Sequence, residues 1–200
     1  MDWIEFEGNE VPATSSEASG ERRTWMPTES KFSAAYVTAR REGVDLPELD
    51  GRKILYLGGG AGTTAEYVAD LAQVVYVVEF APSPTKSLIK RAEDRNNLIP
   101  LLRDARKPDT YSKVVEKVDF IYQDVATRGQ AKVACENAVF LKDDGNAVIC
   151  IKARSEDISK KNREIYHDAR KVLEDEYSVE SFYELEPFYT DHGVFHLKPR

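Results

Sequence analysis

The chain has 200 residues, 42% apolar and 32% charged, enough to enclose one full core with room for a small appendage. No apolar run is long enough to span a bilayer, and the first residues lack a signal-peptide pattern, so a cytoplasmic protein is expected. The net charge of −7 is unevenly placed: residues 1–50 carry 11 acids and 5 bases, so the near-neutral remainder offers little non-specific attraction to phosphate, and any RNA affinity would come mainly from a partner.

Residues 1–23 mix Gly, Pro, Ser, Thr and Glu with a brief apolar start at Trp3, Ile4 and Phe6, which predicts a short strand or a flexible extension rather than a domain. The main domain is expected over 24–200. From Glu29 to Arg41, Phe32, Ala35, Tyr36 and Ala39 recur at helical spacing. After a turn at Leu49-Asp50-Gly51, strand-like runs at 53–57, 74–79, 98–102, 118–123 and 146–152 alternate with helical segments at 63–72, 83–95, 110–117, 128–140 and 159–175. Repeated strand–helix units predict an α/β fold with a mostly parallel sheet covered on both faces. Two further strand-like runs, 178–185 and 193–197, joined by a short turn, predict an antiparallel last strand. Seven strands with the last reversed is the Rossmann-like arrangement of class I methyltransferases. The two cysteines, Cys135 and Cys150, fall in a predicted helix and a predicted strand and are expected to be buried free thiols. No Cys/His cluster has metal-ligand spacing.

The first predicted strand stops at Gly58-Gly59-Gly60-Ala61-Gly62, and a helical pattern follows. A glycine turn opening a helix is where such sheets hold nucleotide-like ligands. Gly58, Gly60 and Gly62 read G-x-G-x-G, with Thr63 where a dinucleotide fingerprint has its third glycine, followed by Thr64. The next strand ends in Glu79, placed to accept hydrogen bonds from two ribose hydroxyls. Together these favour an adenosine cofactor without a pyrophosphate, S-adenosylmethionine first, and make a dehydrogenase the weakest alternative.

Asp104-Ala105, after the third of these strands, is placed to meet an adenine edge. Asp124, at the end of the next, should face the glycine turn; capping the helix near Arg128 is its alternative role. Lys152 ends the apolar run 148–151, and the cost of desolvating an ammonium predicts that it faces the cleft and pairs with an acid, Asp124 being the natural candidate. It is either a structural ion pair or a cation that orients or deprotonates a hydroxyl. His192, where the last two strands meet, is either structural or at the mouth of the same cleft. Arg154, Lys160, Lys161 and Arg163 form a charge run that is either a solvated helix face or a phosphate-steering surface.

The strings YLGGGAGTT, VVYVVEFAPSP, NNLIPLLRDARKPDTY, VDFIYQDVA, AVICIKARSED and LEPFYTDHGVF run in order from about Trp25 to the C-terminus. Through them the chain resembles fibrillarin, the methyltransferase of box C/D ribonucleoproteins. The resemblance implies 2′-O-methylation of RNA ribose with S-adenosylmethionine in rRNA and tRNA processing. It implies a catalytic set of Lys31, Asp124, Lys152 and His192. The implied cofactor contacts are the Gly58–Thr64 turn, Glu79, Phe80, Asp104, Ala105, Asp124 and Gln130. Implied partners are a box C/D guide RNA, its target RNA, a Nop-family scaffold and a kink-turn-binding, ribosomal-like protein. The chain departs from the family pattern in its short N-terminal segment, in GGGAG where alanine and serine are more usual, in Thr127-Arg128-Gly129-Gln130, and in its acidity. Two alternatives remain: a methyltransferase for a small molecule or protein side chain, and a catalytically silent cofactor-binding subunit.

Overall fold

A computed structural model describes residues 1–6, 8–15, 20 and 22–200. Near the N-terminus, β1 (Asp2–Phe6), β2 (Asn9–Ser15) and β3 (Arg22–Thr24) form a three-stranded antiparallel sheet in the order β1-β2-β3. The short strand expected at Trp3, Ile4 and Phe6 is β1, and two further strands join it in a small sheet in place of a flexible extension; residues 7, 16–19 and 21 of that stretch lie outside the described residues. The sheet is anchored by burial that sequence periodicity does not reveal. Val11, Ala13 and Thr14 of β2 are buried. Asp70, whose side chain is fully buried, accepts hydrogen bonds from Thr14 Oγ1 at 2.8 Å and Arg95 Nη1 at 2.6 Å, and pairs with Arg23.

The main sheet has seven strands in the order β6-β5-β4-β7-β8-β10-β9. In chain order its elements are β4 (Lys53–Leu57), α2 (Thr63–Ala69), β5 (Val74–Glu79), α3 (Pro82–Ala92), β6 (Leu98–Leu102), β7 (Val118–Gln123), α4 (Gln130–Asn137), β8 (Leu141–Lys152), α5 (Ala153–Glu156), α6 (Asn162–Leu173), β9 (Tyr177–Glu184) and β10 (His192–Pro199), with α1 (Lys31–Arg41) preceding them. β4 runs parallel to both β5 and β7, and β10 is antiparallel to β8 and β9, as the sequence pattern predicts. Because β6 and β7 lie on opposite sides of β4, the order reverses between β4 and β7, and the switch-point crevice opens beyond their carboxyl ends.

Side-chain alternation sorts the core into two layers. Leu55 and Leu57 of β4 join one apolar cluster with α4 and α6, while Ile54 and Tyr56 join the other with α1 and α2. The expected helix over 110–117 is absent. A 3-10 turn at Pro108–Thr110 leads into turns whose Tyr111 and Val115 are buried. The predicted helix over 159–175 is resolved as α6, preceded by the one-turn α5. Both cysteines are free; Cys150 is buried and Cys135 half-buried.

Candidate active site

The glycine turn needs its composition for two different reasons. A Cβ on Gly58 (φ +85°) would collide with the Asp124 carbonyl oxygen, so the β4 and β7 ends can approach only without it. Gly60 (φ +54°) has no atom within 4 Å of its Cβ position, and it lines the open cleft.

That cleft measures about 460 Å³ and is lined by Gly58, Gly60, Val78, Glu79, Phe80, Arg103, Asp104, Ala105, Arg106, Asp124 and residues 125–127 and 133. Seven of the predicted cofactor residues are thus brought together: Gly58, Gly60, Glu79, Phe80, Asp104, Ala105 and Asp124. Glu79 is oriented by two backbone donors, Gly60 N–H to Oε2 and Ala81 N–H to Oε1, both at 2.8 Å. Asp104 is gripped by the Arg106 guanidinium at 2.8 Å, which holds its carboxyl below the usual range. Exposed Phe80 and the aliphatic walls Val78 and Val125 suit an adenine face, while the two acids suit hydroxyl and amino donors. Size and lining therefore fit an adenosine cofactor. Arg103 and Arg106 were missed by the sequence reading; the Asp104-Ala105-Arg106 string was the available signal.

Gly62, Thr63, Thr64 and Gln130 do not line the cleft. Gly62 (φ +88°) caps α2 and packs against Leu88. Thr63 is exposed. Thr64 Oγ1 donates to Ser30 Oγ at 3.0 Å, tying α2 to the start of α1. Gln130 is buried and bonded to the Lys152 backbone.

Of the four predicted catalytic residues, Asp124 lines the cleft, and Lys31, Lys152 and His192 do not. Ser30 caps α1 by accepting from the Ser33 N–H, and Phe32 stacks on Tyr122 of β7 with ring centroids 3.8 Å apart. That anchor places Lys31 over the end of β7, where its Nζ lies 2.9 Å from Asp124 Oδ2. The expected Lys152–Asp124 ion pair is corrected: Asp124 pairs with Lys31, and among the described residues Lys152 forms no ion pair. A distant helix supplied the partner that the sequence reading sought on the neighbouring strand. Burial lowers the Lys31 pKa, but the Asp124 charge and hydrogen bond outweigh it, so the ammonium is held above its ordinary value.

His192 of β10 is directly opposite Lys152 of β8. Its Nδ1 lies 2.6 Å from the Thr190 carbonyl oxygen, which can only accept, so Nδ1 carries the proton and Nε2 the lone pair. Nε2 is buried with no hydrogen-bond partner among the described residues. Burial is the largest influence on the ring and, with the Lys31 and Lys152 charges, holds its pKa below the ordinary value. Two lysines, one carboxylate and a neutral imidazole leave a net positive site.

Among the proposed RNA-facing cations, Arg154 pairs with Asp191 at 3.2 Å and Lys160 with Asp168 at 2.8 Å. Lys161 and Arg163 are exposed and form no ion pair among the described residues. No helix among the described residues is long and apolar enough to cross a membrane, and none of their His, Cys, Asp and Glu side chains cluster as a metal site.

A family model described as Fibrillarin matches residues 6–199. A "Fibrillarin-like rRNA/tRNA 2′-O-methyltransferase" from Haloarcula marismortui is 44% identical over 189 residues, covering 94% of this chain and 88% of its own. The structure of Aeropyrum pernix fibrillarin with natively bound S-adenosyl-L-methionine superposes with a TM-score of 0.84 at 34% identity, covering 98% of this chain and 92% of that one. Fibrillarin from a fibrillarin/Nop5p complex gives a TM-score of 0.85 at 33% identity, covering 99% and 97%.

Proposed function

The chain belongs to the fibrillarin family, and from that premise we propose that it is an S-adenosylmethionine-dependent RNA ribose 2′-O-methyltransferase. It acts as the catalytic subunit of a guide-RNA particle in rRNA and tRNA processing. A Nop-family scaffold docks it, as supported by the relative in complex with Nop5p. A box C/D guide RNA and a kink-turn-binding protein select the target; a near-neutral body that needs help to hold RNA favours this division of labour. The observation that supports this reading is the Lys31–Asp124 ion pair at an adenosine-sized cleft that Asp124 lines, with Lys152 facing His192 across the neighbouring strands.

The cofactor, when bound, supplies a methyl group already activated by its sulfonium. Glu79 would hold its ribose, Asp104 and Ala105 its adenine edge, and the Gly58–Gly60 turn its tail. A ribose hydroxyl is a poor nucleophile at neutral pH, so the chain's own residues must align it and receive its proton. Lys31 stays protonated and fixes the Asp124 carboxylate. The Lys152 ammonium orients the hydroxyl and steadies charge on its oxygen. His192 Nε2, with its lone pair free, accepts the proton. The net positive site also favours an RNA phosphate nearby. A silent subunit would need none of these groups in working order.

The deciding test is transfer of labelled methyl to a guided RNA by the reconstituted particle. Label on the ribose 2′-oxygen that vanishes with Lys152→Ala establishes reaction and site; cofactor binding without any transfer establishes the silent subunit instead.

A further inference from the structure

Gln130 is fully buried, yet it lies outside the cofactor cleft. Its side-chain amide meets the backbone of Lys152 twice. Oε1 accepts from the Lys152 N–H at 2.8 Å, and Nε2 donates to the Lys152 carbonyl at 3.1 Å.

Strand register explains why these bonds are needed. β7 pairs with β8 only as far as Gln123 opposite Ile149, so the end of β8 runs past its parallel neighbour. On the other side His192 stands opposite Lys152, but the His192 carbonyl turns away to accept from Leu185 N–H. The Lys152 N–H and carbonyl therefore have no strand to pair with, and a half-buried backbone left so would be costly. A carboxamide carries the same donor and acceptor as a peptide unit. Gln130 stands in for the missing residue of β7.

Glu156 fixes this stand-in. Its Oε1 accepts from Gln130 Nε2 at 2.9 Å and from the Gln130 N–H at 2.7 Å, while Oε2 accepts from Gly129 N–H at 2.8 Å. Gln123 Nε2 adds a bond to the Gln130 carbonyl at 2.9 Å. These partners also settle the amide's orientation. Flipped, its oxygen would face the Lys152 carbonyl and the Glu156 carboxylate, and its nitrogen the Lys152 N–H. Glu156, which holds Gln130 in turn, lies on α5, just past the end of β8.

We propose that Gln130, clamped by Glu156, is a positioning residue that fixes the Lys152 backbone at the unpaired end of β8 and so aims the Lys152 ammonium, instead of contacting the cofactor. This rests on the catalytic role proposed for Lys152.

The test compares wild type, Gln130→Met and Glu156→Gln in three measurements: S-adenosylmethionine affinity of the full chain, single-turnover methyl transfer at saturating cofactor in the assembled particle, and hydrogen exchange of the Lys152 amide. A positioning role leaves the Kd within about twofold and slows transfer by about 10- to 100-fold, because small misplacements of a reacting group are expensive. It also speeds Lys152 amide exchange by about tenfold or more in both variants. A cofactor Kd raised about tenfold by Gln130→Met, with transfer at saturation unchanged, would overturn the proposal in favour of direct contact. Unchanged Lys152 exchange in both variants would equally overturn it. Should Gln130→Met fail to fold, Glu156→Gln carries the test. A wild-type particle that transfers no methyl would instead refute the proposed activity, and the exchange data would still decide the clamp.

Discussion

Lys152 and His192 stand directly opposite each other on adjacent antiparallel strands, and neither backbone bonds to the other. The Lys152 N–H and carbonyl turn to Gln130, and the His192 carbonyl turns to Leu185. In such a non-hydrogen-bonded pair the Cα atoms approach to about 4.5 Å and the side chains crowd together on one face. Cation and imidazole are therefore carried on the same face of the sheet.

Replacing Lys152 by methionine keeps the stem and removes the charge. Transfer in the assembled particle should fall by about 10²- to 10⁴-fold while cofactor affinity is retained. Lys152→Arg should not restore it, since a planar guanidinium cannot occupy the place of a compact ammonium. Full activity in the arginine variant would show that charge alone, not its placement, matters.

The role proposed for His192 predicts a pH dependence of definite sign. Its pKa is held below the ordinary value of about 6.5 by burial, so the folded ring is neutral at pH 7 with Nε2 free. As the pH falls below 6.5, the unfolded chain takes up this proton before the folded one does. The ring's contribution to stability is thus intact above 6.5 and is lost progressively below it. Transfer should decline on the acid side as Nε2 is protonated. Single-turnover rates against pH should show that limb in wild type and not in the residual activity of His192→Gln; an identical limb in both would remove the imidazole from proton transfer.

Lys31 and Asp124 should behave as a unit. Lys31→Met leaves the Asp124 carboxylate half-buried without its cation, and Asp124→Asn leaves the reverse. The double substitution should be less damaging than the two single losses added, with a coupling on the order of 1 kcal/mol in denaturant unfolding. Strict additivity would mean that the ion pair contributes nothing to the fold.

Two glycines of one turn should fail differently. Gly60→Ala meets no neighbour and costs about 1–2 kcal/mol for its left-handed backbone alone. Gly58→Ala adds a collision with the Asp124 backbone, so it should melt lower and also slow transfer by displacing Asp124. Thermal melts in the opposite order would disprove that the close approach of β4 and β7 sets the requirement at residue 58.

The chain carries much of its fold in local pattern. The strands at 53–57, 74–79, 98–102 and 118–123 were legible as short apolar runs, because strands covered on both faces need no alternation. The glycine turn, Glu79 and Asp104 were legible because backbone geometry and strand ends leave local marks. The N-terminal sheet was not: its strands are short and mixed, and the groups that hold them lie 43 to 56 positions further along the chain, Tyr67 bonded to the Thr24 carbonyl and Asp70 bonded to Thr14 and Arg23. Nor was the helix-like run 110–117 distinguishable from turns, since it holds too few residues between Pro108 and β7 to favour a helix.

The sequence by itself determined which chemical groups the site has and which strands and turns carry them, because residue type, periodicity and glycine placement are local properties. Only the tertiary structure decided who partners whom. Lys31 reaches Asp124 across 93 positions of chain because Phe32 stacks on Tyr122, and Gln130 serves the Lys152 backbone because β7 ends too soon to do so. Ion pairs and buried hydrogen bonds are set by distance in space, and distance in space is what packing creates.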